Sequence, residues 1–167
     1  CKLVQLNCVV DPSILFPKDY AYRSGTTQAL RDNFEDLFKE VQSLVPMKCG
    51  DLVVDVGGNE GVCLEYFLKA GFRVCNIEPT GAWVDAAQRG VFTIISFLNQ
   101  DAVDKVADSF NGRKAKVIIC TNCFAHMPDI HDRIENMISM LDDGGVIVLE
   151  NHYLPSLIED LQYDVLY

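Results

Sequence analysis

The stretch Leu52-Val53-Val54-Asp55-Val56-Gly57-Gly58-Asn59-Glu60-Gly61 constrains the fold more than any other part of the chain. An apolar run of strand length enters a glycine-rich turn and passes straight into a helical pattern that begins at Val62. Gly57 permits a tight turn, and Gly61 lets helix and strand approach closely. The same rhythm continues downstream. Phe72–Ile77, Val91–Ile95, Val117–Thr121 and Val146–Glu150 read as further strands. Helical patterns over Ala82–Arg89, Asp101–Phe110 and Ile130–Leu141 separate them, and Gly71 and Gly90 stand as helix stops. Asp142-Asp143-Gly144-Gly145 reads as a turn. Strands that alternate with helices imply βαβ units, and right-handed crossovers turn these into a Rossmann-like, doubly wound, mainly parallel α/β sandwich.

The glycine spacing is D-x-G-x-x-x-G, so the G-x-G-x-x-G fingerprint of dinucleotide binding is not met. No G-x-x-x-x-G-K-[ST] loop is present, which argues against nucleoside triphosphates. Glu78 follows Asp55 by 23 residues and ends the second strand. An acid there can accept hydrogen bonds from both ribose hydroxyls of an adenosine ligand. An acidic loop without a phosphate cradle suits a cationic adenosine ligand, and S-adenosylmethionine is the evident one.

Composition narrows the partners. Fourteen Lys+Arg against 24 Asp+Glu give a net charge of −10, the wrong sign for neutralising nucleic-acid phosphates or docking on an anionic membrane. No apolar run approaches the roughly 18 residues of a membrane-spanning helix. The seven cysteines are irregularly spaced and lie mostly in apolar runs, which predicts a reducing, cytoplasmic setting without a disulfide framework. Cys120 and Cys123 spell C-x-x-C, yet Cys120 falls inside a strand pattern and no second pair completes a zinc site, so both read as packed core thiols.

Ahead of the sheet, residues 1–24 form a lead-in with Pro12, Pro17, Phe16, Tyr20 and Tyr22 and no sustained period, predicted to be extended. Residues 25–167 form the folded core. Ser24–Thr27 offer cap chemistry for an amphipathic helix through Leu30, Phe34, Leu37, Phe38, Val41, Leu44 and Val45, which Pro46 stops. In an open α/β sheet ligands bind at the carboxyl ends of the strands. Asn122 and His126 after the fourth strand, with Pro79 and Phe97, are therefore candidates to line the ligand. Trp83, Phe92 and Phe97 are read as core or adenine-pocket residues. Glu150, His152 and Tyr153, after the fifth strand, reach the same rim, and an imidazole there can act as a general base. Taken alone, that stretch reads equally as a polar exit loop.

Together these residues resemble a class I S-adenosylmethionine-dependent methyltransferase, and more closely the C-methyltransferases of nucleotide-linked deoxysugars. Cys1-Lys2-Leu3-Val4-Gln5-Leu6 is similar to the end of that family's small zinc-binding module, which makes Cys1 the remnant of a metal site. Tyr20-Ala21-Tyr22-Arg23-Ser24-Gly25-Thr26 resembles its Y-x-Y-x-S-G-x segment, so Tyr22 and Ser24 are expected to cover the cofactor. Asn122–His126, Glu150–Leu154 and Gln162–Tyr167 resemble its post-strand motifs.

The resemblance implies methyl transfer from S-adenosylmethionine to a carbon beside a ketone of a sugar nucleotide. Asp55, Gly57, Gly58, Asn59, Gly61 and Glu78 would hold the cofactor, and His152, Tyr153 and Tyr167 would face the acceptor. In the family a Y-x-E-H-type motif follows the tyrosine that matches Tyr167 and supplies the principal base. The sequence stops at Tyr167, so cofactor binding with little turnover is expected. Ser96 stands where many class I enzymes carry an acid for the adenine amino group. A different small-molecule acceptor, methylated on oxygen or nitrogen, and a non-catalytic cofactor-binding module are the competing readings. With five strands, Val146–Glu150 would be an open apolar edge, expected to be covered by a second copy of the chain or by further residues.

Overall fold

A computed structural model describes residues 8–162. Its five strands are β1 (Leu52–Val56), β2 (Arg73–Ile77), β3 (Thr93–Ile94), β4 (Ala115–Thr121) and β5 (Leu141–Glu150). All pairs are parallel, in the order β3-β2-β1-β4-β5. The order reverses between β1 and β4, which opens a crevice at their carboxyl ends.

The helices are α1 (Pro12–Leu15), α2 (Gln28–Leu44), α3 (Val62–Lys69), α4 (Trp83–Gln88), α5 (Gln100–Ser109), α6 (Ile130–Met140) and α7 (Leu154–Glu159). Strand alternation divides the core in two. Leu52, Val54 and Val56 face Val103, Val106, Met137 and Met140 of α5 and α6. Val53, Val117 and Ile119 face Phe34 and Val41 of α2 and Leu64 and Phe67 of α3. Every residue of β1 is buried, as a strand covered on both faces requires. No described helix is long and apolar enough to cross a membrane.

The predicted alternation of strands and helices is present, and several boundaries differ for local reasons. The third strand shrinks from Val91–Ile95 to Thr93–Ile94, because the Val91 amide instead donates to Ala86 O at the end of α4. The fifth strand begins at Leu141 rather than Val146. Leu141 pairs with Ala115 and Val146 with Val117, so the predicted turn 142–145 is looped out as a register step within the strand. The lead-in is not wholly extended, since Asp11 accepts from the Ser13 amide at 2.9 Å and Pro12 opens α1. A 3-10 turn occupies Ser24–Thr26, with Thr27 as the N-cap of α2. The exit loop after β5 contains α7. Trp83, Phe92 and Phe97 are 37%, 49% and 37% exposed, which corrects their assignment to the core.

Candidate functional site

β1 delivers Asp55 and the glycines to the crevice. Gly57 and Gly61 have φ of +74° and +73°, where a side chain strains the backbone. A Cβ on Gly57 would also collide with Cys123 Sγ, and one on Gly61 would press on Val91 and Ala86 at 3.1 and 3.2 Å. Gly58 has an ordinary φ but no room: its Cβ would stand 2.6 Å from Asn76 Oδ1 and 2.7 Å from Asp55 Oδ2.

Asn59, at φ +50°, is held on all sides. Its amide donates to Glu78 Oε2 at 3.0 Å, and its carbonyl accepts from Asn76 Nδ2 at 3.0 Å. Its side chain accepts from the Ser24 amide at 3.3 Å and donates to Tyr22 O at 3.2 Å. The lead-in is thereby fastened over the glycine loop. Gly81 N–H to Lys18 O at 2.8 Å and the Arg23–Asp85 ion pair at 2.6 Å anchor it further. The Asn59 side chain thus grips the lead-in backbone, and its main chain presents the loop.

Glu78 is buried at the end of β2. Besides the Asn59 amide, its carboxylate accepts from the Thr80 amide at 2.9 Å and Thr80 Oγ1 at 2.5 Å. Each oxygen of a carboxylate offers two lone pairs, so these bonds orient the acid without filling it. Pro79 follows, half-buried.

Asp55 is 1% exposed and its Oδ1 has no hydrogen-bond partner. Burial, and then the nearby charge of Glu78, push its carboxyl up to about 7. Directly across the sheet stands Asn76, fully buried, whose Oδ1 is also unpartnered. Unpaired buried polar atoms are rare, and two beside one crevice point to a ligand that brings donors. Sequence reasoning missed Asn76, although an asparagine inside the apolar run Arg73–Ile77 was a signal for it.

The rim beyond β4 and β5 is organised by Glu150. Its carboxylate accepts from Asn122 Nδ2 at 2.6 Å and from Asn33 Nδ2 of α2 at 2.9 Å. Asn122, at φ +51°, also donates its amide to Glu150 O at 2.8 Å. Glu150 was expected on this rim from its place after the fifth strand, whereas Asn33 was not among the expected site residues. His126 is half-buried against the Phe16 ring, with centroids 5.9 Å apart. Burial, and secondarily His152, hold His126 below the ordinary imidazole range. Tyr22 lies beside Tyr20, with ring centroids 6.4 Å apart, and Ser24 is buried under the lead-in. His152 and Tyr153 are exposed on the rim, and Phe97 lies at the surface past β3. The residues brought together are therefore Asp55, Gly57, Gly58, Asn59, Gly61 and Glu78, with Tyr22 and Ser24 fastened over them. Cys1 and Tyr167 lie outside the described residues, among which no metal-binding cluster occurs. A separate cavity of about 560 Å3 lies behind the loop, lined by Arg23, Arg31, Arg89, Glu60 and Asp85. Arg23 and Arg89 are already ion-paired there, to Asp85 and to Glu60.

Comparison with known proteins agrees with this architecture. The C-methyltransferase NovU of Streptomyces niveus is 30% identical over 168 residues, covering all of this chain and 39% of NovU. The plantazolicin methyltransferase BpumL, solved with a pentazolic analogue and SAH, aligns with a TM-score of 0.64 at 17% identity, over 83% of this chain and 53% of its own. DesVI of Streptomyces venezuelae aligns with a TM-score of 0.56 at 18% identity, over 75% of this chain and 52% of its own. The chain thus spans about half the length, or less, of these relatives. Residues 23–167 match the family model described as a methyltransferase domain. With that match, the parallel sheet of order 3-2-1-4-5 and the glycine loop at its switch point, the chain belongs to the class I methyltransferase domain family.

Proposed function

We propose that this chain is the S-adenosylmethionine-binding core of an enzyme that methylates a carbon beside a ketone in a keto-deoxysugar nucleotide. The observation that carries the cofactor is the buried Glu78 carboxylate, oriented by the Asn59 amide and Thr80 beside a glycine loop with no space for side chains. Glu78 accepts from the ribose hydroxyls, and Gly57 and Gly58 let the ligand rest on the backbone. The unpartnered Oδ1 of Asp55 accepts from the ligand's ammonium. Asn122, oriented by Glu150, borders the methionine part. Pro79 and Phe97 lie on the adenine side. When bound, S-adenosylmethionine supplies an electrophilic methyl group on a positively charged sulfur.

The acceptor class rests on the likeness to a C-methyltransferase, which covers all of this chain and 39% of that relative. Forming a new carbon–carbon bond requires removal of the proton next to the ketone. Tyr153 on the rim and Tyr167 are acceptor contacts, His126 sides with Asn122 on the cofactor, and His152 is a candidate base second to the motif that the family resemblance sets after Tyr167. His152 is exposed on the rim. Burial, and secondarily His152, disfavour a cationic His126. We also propose that β5, an edge strand of the described sheet, is covered by a second copy of the chain, that the protein works in the cytoplasm, and that zinc belongs to a module ending at Cys1.

Calorimetric titration with S-adenosylmethionine, with NAD as control, tests the cofactor. Binding that Glu78→Ala abolishes is expected, while NAD binding or indifference to Glu78→Ala would overturn it. Incubation with keto-deoxysugar nucleotides and with hydroxyl and amine acceptors tests the substrate. Turnover is expected to be slight, any product carries its methyl group on carbon, and methylation of oxygen or nitrogen would replace this reading.

A further inference from the structure

We propose that Cys120 and Cys123 form an oxidisable dithiol, a disulfide-exchange site set at the switch point of the sheet. Cys120 lies within β4 and is fully buried in the cluster facing α5 and α6. Asn122, in the left-handed region, turns the chain back on itself, so Cys123 packs onto that same cluster. The Cys123 thiol stands beside that of Cys120 and pushes it up. Cys123 is half-buried and rests on Gly57 from across the β1–β4 crevice, so the pair borders the glycine loop.

The geometry divides the roles. The neighbouring Cys123 thiol and the burial of Cys120 both hold the Cys120 thiol protonated, so the half-exposed Cys123 takes the first step. With a small-molecule disulfide such as glutathione disulfide, the Cys123 thiolate attacks one sulfur, the oxidant's S–S bond breaks, and one glutathione thiolate leaves. Modification of Cys123 removes the neighbouring thiol that contributes most to keeping Cys120 protonated. Cys120 then gives up its proton to solvent and attacks Cys123 Sγ, expelling the second glutathione. Two thiols lose two electrons between them, and one glutathione disulfide becomes two glutathiones. An S–S bond of about 2.05 Å is far shorter than a non-bonded contact between two thiols. Cys120 is fixed in the sheet, so Cys123 moves toward it and leaves Gly57.

The other cysteines among the described residues supply internal controls. Cys8 and Cys49 are exposed, with no disulfide between them, and Cys63 and Cys75 are buried. The folded protein is incubated with glutathione disulfide, and its peptides are analysed by mass spectrometry without reduction. The expected result is glutathione on Cys8 and Cys49, and a 120–123 peptide lighter by two hydrogens without glutathione. Cys120→Ala should stop at a glutathione adduct on Cys123. A wild-type protein whose Cys123 keeps glutathione, or stays unmodified while Cys8 and Cys49 react, would overturn the proposal. Faster hydrogen exchange at Gly57–Asn59 is expected in the oxidised form. Unchanged exchange there would overturn the link to the glycine loop.

Discussion

At the scale of the residue, Asp55 ties folding to pH. Its carboxyl holds a proton up to about 7 in the folded chain but only to about 4 when unfolded. Between those values the native state binds the extra proton, so this group's contribution to stability is full below about pH 4 and is lost as pH rises to about 7. Asp55→Asn removes the liability. Thermal melts should find the variant more stable than wild type at pH 8, by an amount on the order of a few kcal/mol, with the gap closing toward pH 4. Equal stability at both pH values would refute this. The glycines separate by cause. Gly58→Ala drives a Cβ into the Asp55 and Asn76 oxygens and should cost roughly 1–3 kcal/mol in urea unfolding, together with the affinity for S-adenosylmethionine. Gly112→Ala meets no atom within 4 Å but keeps a φ of +72°, so about 1 kcal/mol of backbone strain is all it should show. At this scale the sequence revealed Asp55, the glycines and Glu78, because spacing from a strand end locates them. Asn76 escaped because its importance lies in a partner 17 residues away, at Asn59, and Glu150, expected on the rim, gave no sign of its tie to Asn122, 28 residues away. Spacing within one element carries no sign of such pairings.

At the scale of the element, caps account for where helices begin. Asn99 accepts from the Ala102 amide at 2.9 Å, whereas Thr27 accepts from Leu30 at 3.4 Å. Asn99→Ala should therefore cost about 1 kcal/mol and Thr27→Ala about half that, measured by urea midpoints. A larger loss for Thr27 would contradict the geometry. Elements buried on both faces were legible nearly to the residue: Leu52–Val56 is the strand that its apolar run indicated. Edges were less so. β3 yields residues to the cap of α4, and β5 absorbs a four-residue excursion, because pairing partners rather than apolar runs decide where an edge strand stops. The short helix α1 was signalled by Asp11-Pro12-Ser13, a cap that the scattered aromatics of the lead-in obscured.

At the scale of the whole molecule, alternating strands and helices announced a doubly wound sheet, and the observed order places the glycine loop at its point of reversal. The packing of the lead-in over that loop was less visible, since it depends on main-chain atoms that no composition records. The free side of β5 has consequences for assembly. Leu149 is 45% exposed and the strand's outer hydrogen-bonding groups have no partner strand among the described residues. Sedimentation velocity across a concentration series should therefore detect species of at least twice the 18.7 kDa chain mass. A single monomeric boundary at every concentration would count against a second copy at this edge.

The grip of Asn59 on the lead-in carries a lesson for how such proteins diversify. Its amide recognises the carbonyl of residue 22 and the N–H of residue 24, groups that nearly every amino acid supplies. The fastening itself therefore does not depend on which side chains stand at these two positions. The burden of invariance falls on one asparagine, and specificity can evolve above it without rebuilding the floor.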